Sequence, residues 1–141
     1  MMESADLSYK DIRVGLERQF NAVITREMVE QFISLTGDHH PLHTDPEYAR
    51  DAGYEGIIVQ GMLTSAFSST LIGMYLPGTR ALILRQSFRY LKPVYPGEKI
   101  IVRGIVSKKI DAFSTIEIDV EMIDSAGDCV SRGNVQVKVR D

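Results

Sequence analysis

At 141 residues, with 44% hydrophobic and 25% charged content, the chain has the size and composition of one soluble globular domain with a single core. A net charge of −3 argues against a nucleic-acid partner, which would need a basic face, and a single cysteine excludes an intrachain disulfide. The opening MMESADLSYKD carries acids early and has no apolar block, so no secretory signal is expected and the cytoplasm is the expected compartment.

Residues 1–17 read as a loosely attached lead-in, and Gln19 to Ile24 alternates weakly enough for a short first strand. Thr25 is placed to cap a helix that has Glu27 in its first turn and Met28, Val29, Phe32, Ile33 and Leu35 on one side, closed by Gly37. Residues 38–45 (DHHPLHTD) contain all three histidines and read as irregular, because Pro41 lacks an amide and biases His40 away from the helical region. Asp45 then caps a second short helix with Pro46 at its first position and Gly53 beyond its end.

The chain between Glu55 and Arg80 has no charged side chain. Its middle, about Met62 to Leu76, predicts a helix apolar nearly all round and therefore buried. An uncharged run of this length also suits a membrane span. Gly56, Gly61, Gly73, Pro77 and several hydroxyls interrupt the apolar block, so no membrane crossing is expected.

After the turn at Leu76 to Thr79 the period changes from about 3.6 to 2. Leu82, Leu84, Phe88 and Tyr90 share one parity between Ala81 and Lys92, with Gln86 as the exception. A turn at 94–98 leads to a strand from Lys99 to Lys109. From Phe113 to Ile123, Ile116, Ile118, Val120 and Met122 alternate with acids, which predicts one face on the core and one outside. The last strand sets Val135, Val137 and Val139 inward and Arg132, Lys138 and Arg140 outward, suited to cross-strand ion pairs with the acidic strand. Four or five antiparallel strands curled round one helix make an α+β domain spanning 1–141.

The segment FISLTGDHHPLH (32–43), followed by Val59-Gln60-Gly61-Met62 and Leu76-Pro77-Gly78, resembles the R-specific enoyl-CoA hydratases, the MaoC-like or hydratase 2 family of the hot dog fold. The resemblance covers roughly residues 20 to 110 in order and spacing. It implies an antiparallel sheet wrapped around a long central helix, and a homodimer joined sheet edge to sheet edge, or a dimer of such dimers. It also implies reversible syn addition of water to a trans-2-enoyl thioester, carried by coenzyme A or acyl carrier protein, with no cofactor.

Hydrating a double bond conjugated to a thioester needs a base for water, an acid for the α-carbon, and a group to hold charge on the thioester oxygen. Asp38 and His43, five residues apart, are positioned in sequence to share one water, and the resemblance assigns them that role. Either can return the proton to carbon. Gly61 is the expected oxyanion donor, as a backbone amide at the start of the central helix. The resemblance implies that Ser69 steadies the loop from beneath and that Pro41 and His40 shape it, with His40 where the family usually has Asn and Gln60 where it often has His. Arg85, Arg89 and Lys92 are candidates for the coenzyme A phosphates on charge alone, and His39, without a match in the family pattern, is expected to be solvated.

A metal site is the competing reading of this loop, and it fails on spacing because Pro41 stands between His39 and His43 and prevents a helical i,i+4 pair. A hot dog thioesterase would share the fold and the oxyanion site while aiming its water at the carbonyl. A noncatalytic thioester-binding subunit would have no need of both Asp38 and His43.

Overall fold

Alternation dominates the second half of the chain, and it produces a sheet. In the computed structural model, which describes residues 2–141, strands β1 (Glu17–Val23), β2 (Ala81–Tyr90), β3 (Lys99–Ile110), β4 (Thr115–Ile123) and β5 (Cys129–Val139) form one antiparallel sheet. The five strands lie in the order β1-β3-β4-β5-β2, so β1 and β2 are the edges. Ile116, Ile118, Val120 and Met122 of β4 and Val135, Val137 and Val139 of β5 are buried on one face, as their period-2 spacing requires. The expected ion pairs on the other face are fewer than predicted: Glu121 takes Arg132 at 3.5 Å and Arg103 at 2.6 Å. Lys138 and Arg140 instead donate to the carbonyls of Phe113 and Thr79.

Among the described residues four α-helices accompany the sheet: α1 (Arg26–Thr36), α2 (Pro41–Thr44), α3 (Pro46–Asp51) and α4 (Gly61–Thr70). The Thr25 side chain accepts from the Met28 amide at 3.2 Å, a cap worth about 1 kcal/mol, and Gly37 ends α1 with φ of 77°. Leu35, expected on the buried side of α1, is 83% exposed, and α1 buries only Val29 completely. Among the described residues no helix is long and apolar enough to cross a membrane.

Helix α4 is tied to β2 by the Ser65–Tyr90 and Ser68–Gln86 hydrogen bonds at 2.9 and 3.2 Å, and the chain continues from it into a π-helical turn, Leu71–Tyr75, closed by the Leu76 amide donating to Leu71 O at 2.9 Å. The wide turn drives Leu71, Ile72 and Leu76 into the core. Strand β3 carries Gly104 opposite, where a β-carbon would come within 2.7 Å of Leu71 Cδ2. The long helix and wrapped sheet are the α+β architecture expected. Its amino-terminal half departs from expectation: Met62 is 70% exposed and the buried side is Thr64, Ser65 and Ser68.

Two further expectations are corrected by long-range contacts. The lead-in is bound, not loose: Ala5 and Leu7 amides donate to Met74 O and Pro77 O at 2.9 and 3.0 Å, Arg80 pairs with Asp6 at 2.8 Å, and Ile12 and Leu16 enter the core. Gly78, with φ of 91°, leaves room for this crossing, since a β-carbon there would collide with Ala5 O. In β2 a bulge between Ile83 and Arg85 switches parity, so Leu82 and Leu84 point outward while Gln86 and Phe88 point in. Gln86 is therefore no exception; it follows the register that the bulge resets.

Candidate active site

The loop after α1 is built from short local bonds. Asp38 Oδ1 accepts from the His40 amide at 3.1 Å, and His40 Nδ1 accepts from the Leu42 amide at 3.2 Å, which makes His40 the N-cap of α2. Segment 38–45 is thus not irregular throughout: Pro41 occupies the first position of a helical turn, where its missing amide is not needed. Asp45 caps α3 through amides of Glu47 and Tyr48 at 3.0 and 3.2 Å. The His40 ring lies 5.8 Å from that of His43 and 6.4 Å from that of Tyr48. His39 is exposed.

This turn is stitched to the segment that enters α4. Ile58 N donates to Leu42 O at 2.9 Å, and His43 Nδ1 lies 2.7 Å from Ile58 O. A carbonyl only accepts, so Nδ1 carries the proton and the neutral ring keeps Nε2 as an acceptor. His43 faces a cavity of about 320 Å³ that it shares with Gly61, Thr64, Tyr90, Val94 and Val130. Gly61 begins α4, and no side chain caps that helix, so its first-turn amides keep their capacity to bind a negative oxygen.

The other expected residues are distributed as follows. Asp38 is exposed and is not among the groups lining the cavity, so the structure brings together His43 and Gly61 but not Asp38. Ser69 is exposed on α4 and forms no bond to the loop; the helix turns Ser65 and Ser68 inward in its place, toward Tyr90 OH at 2.9 Å and Gln86 Oε1 at 3.2 Å. Arg85 and Arg89 sit on the outer sheet face, set by the bulge in β2, and do not face the cavity. Lys92 does line it, but its ammonium bonds Asp124 and Asp128 at 2.9 Å each. Those bonds raise the Lys92 pKa, and the Lys92 hydrogen bond holds Asp124 below the usual carboxylate range. The Lys92 charge is thus already engaged within the protein.

Residue-by-residue reading missed Tyr90 and Ser65, and singled out Gln60 only as a departure from the family pattern. Gln60 is 2% exposed, with Nε2 at 3.5 Å from Val29 O and Oε1 without a partner, an arrangement that costs about 1–3 kcal/mol. The signal for Ser65 was its i,i+4 spacing from Gly61, which puts both on one side of the helix. Tyr90 has no local signal, because its role depends on where β2 ends in space.

Comparison with known proteins gives a consistent family. The family described as MaoC like domain matches residues 11–126. An (R)-specific enoyl-CoA hydratase of Aeromonas caviae is 33% identical over 94 residues, 67% of this chain and 70% of that protein. A mitochondrial 3-hydroxyacyl-[acyl-carrier-protein] dehydratase of Arabidopsis thaliana is 34% identical over 111 residues; the alignment takes in 74% of this chain and 66% of that protein. Among solved structures, the R-hydratase PhaJ1 of Pseudomonas aeruginosa superposes with a TM-score of 0.90 at 25% identity, covering 98% of this chain and 88% of its own.

Proposed function

Since the chain belongs to the MaoC-like domain family, we infer that it is an R-specific enoyl-CoA hydratase, equally a 3-hydroxyacyl-thioester dehydratase, that adds water reversibly and syn to a trans-2-enoyl thioester. One observation carries this reading: His43 donates Nδ1–H to Ile58 O, and so offers Nε2 to the cavity that also holds the Gly61 amide.

The steps follow from that arrangement. Water held between Asp38 and His43 loses a proton to Asp38 as its oxygen bonds to C3. The double-bond electrons move toward the thioester oxygen, where the Gly61 N–H and the α4 dipole stabilise the charge. A proton then returns to C2, so the elements of water are added and nothing is oxidised or reduced. Asp38 is given this role by its place in the motif, five residues before His43; its carboxylate is exposed and accepts from the His40 amide. Metal and redox cofactors have no step to serve, and the carrier is coenzyme A or acyl carrier protein.

The protein acts as a cytoplasmic homodimer in this reading. Strand β2 is an open edge whose Leu82 and Leu84 are 52% and 53% exposed, and such an edge is one that a second copy covers. Light scattering that finds only a monomer would remove this part.

The test of the reaction uses crotonyl-CoA and a longer enoyl-CoA, following conjugated absorbance and free thiol together. Loss of absorbance without thiol is the expected result. Thiol release identifies a thioesterase, and neither signal identifies a binding subunit.

A further inference from the structure

Helix α4 starts at the amide expected to hold the thioester oxygen, yet it has no side-chain cap, and uncapped helix ends fray. A conventional cap would steady the turn by consuming first-turn amides, the donors that a ligand needs. Tyr90, the last residue of β2, is placed to steady the turn without taking them. Its ring lies so close to Gly61 that a β-carbon there would stand 3.0 Å from Cδ1 and Cε1. Its hydroxyl is 2.9 Å from Ser65 Oγ, one turn further along the same side of α4. Ser65, 6% exposed, also lies 3.3 Å from Met62 O, and either hydroxyl of the Tyr90–Ser65 pair can donate to the other.

We propose that Tyr90 is a positioning residue for the thioester oxygen: it clamps the first turn of α4 at Gly61 and Ser65 from outside and leaves the helix-start amides to the substrate. The inference rests on the hydratase reading and adds to it a residue outside the catalytic loop. Tyr90 also lines the cavity with His43, so the clamp sets the spacing between the amide and the imidazole. It gives the glycine at position 61 a second cause, since the ring, as well as an approaching ligand, would have to give way to a β-carbon there.

The experiment has two arms. In the first, Tyr90→Phe and Ser65→Ala each lower kcat on crotonyl-CoA by about tenfold with KM nearly unchanged, and the double variant is no slower than either. Losses that multiply in the double variant, an unaltered kcat, or an effect confined to KM overturn the proposal. The second arm reads melting alone. Gly61→Ala lowers the thermal midpoint in the wild-type background, and Tyr90→Ala, by opening the space, makes the same substitution less damaging; an equal loss in both backgrounds overturns the clamp. A wild-type protein inert toward enoyl-CoA would defeat the hydratase reading, while the melting arm would still decide whether Tyr90 holds the turn.

Discussion

The two ends of the central helix do opposite work. Its carboxyl-terminal π turn buries Leu71, Ile72 and Leu76 at 0% exposure under β3 and the bound lead-in. Its amino-terminal turns bury hydroxyls, expose Met62 and leave the first amides uncapped beside a cavity. One end is filled to close packing and supplies stability; the other keeps polar groups and open space, which cost stability and permit chemistry. The difference teaches that the uncharged run at 56–79 is not one kind of surface.

Substitutions at the two ends should therefore separate activity from stability. The largest effect is expected at the catalytic loop: Asp38→Asn and His43→Ala should each lower kcat by ~10²–10⁴-fold, Asp38→Asn with the thermal midpoint unmoved and His43→Ala with a small drop for the lost bond to Ile58 O. Steady-state kinetics beside calorimetry checks this, and an unaltered rate for Asp38→Asn would take that carboxylate out of the mechanism. Next, Leu71→Ala at the packed end should cost about 2–5 kcal/mol in denaturant unfolding while the folded fraction keeps its kcat. Loss of activity in the folded fraction would mean that the two ends are coupled.

Ser68→Ala tests the boundary between them. Ser68 is buried, donates to Ser65 O at 2.7 Å and meets Gln86 Oε1, so the loss should be about 1 kcal/mol, with only a minor effect on turnover. The smallest effect belongs to Lys92 at the cavity rim. The Asp124 pKa is lowered from 3.8, chiefly by the Lys92 hydrogen bond, so the pair's contribution is present above that value and is lost as pH falls below it. Lys92 is shifted upward from 10.5, so its side of the contribution is complete below that pH and declines only in stronger alkali. Lys92→Met should flatten the acid limb of a stability profile and leave KM for the coenzyme A ester unchanged. A large rise in KM would restore Lys92 as a substrate ligand.

Features legible in the chain were those whose causes are local. Thr25 and Gly37 bracket α1, Asp45 and Pro46 open α3, and the alternation from Ile116 to Met122 marks β4, because caps and sheet faces depend on residues a few positions apart. Pro41 misled the reading of α2, since the same missing amide that breaks a helix interior suits its first position. The candidate site was legible as a motif around Asp38 and His43, and only in part as geometry. Ser69 and the three basic candidates were assigned by position or charge, and neither reveals which way a side chain turns.

By itself the sequence determined where α1 and α3 start and stop, which face of β4 is apolar, and that one turn carries a carboxylate and an imidazole, since neighbouring residues settle each of these. The tertiary structure alone decided that a bulge turns Arg85 outward and Gln86 inward, that Asp124 and Asp128 neutralise Lys92, that Asp6 fastens the lead-in, and that Tyr90 lies against Gly61. Each of those depends on segments distant in the chain meeting in space, and no local pattern of residues encodes the meeting.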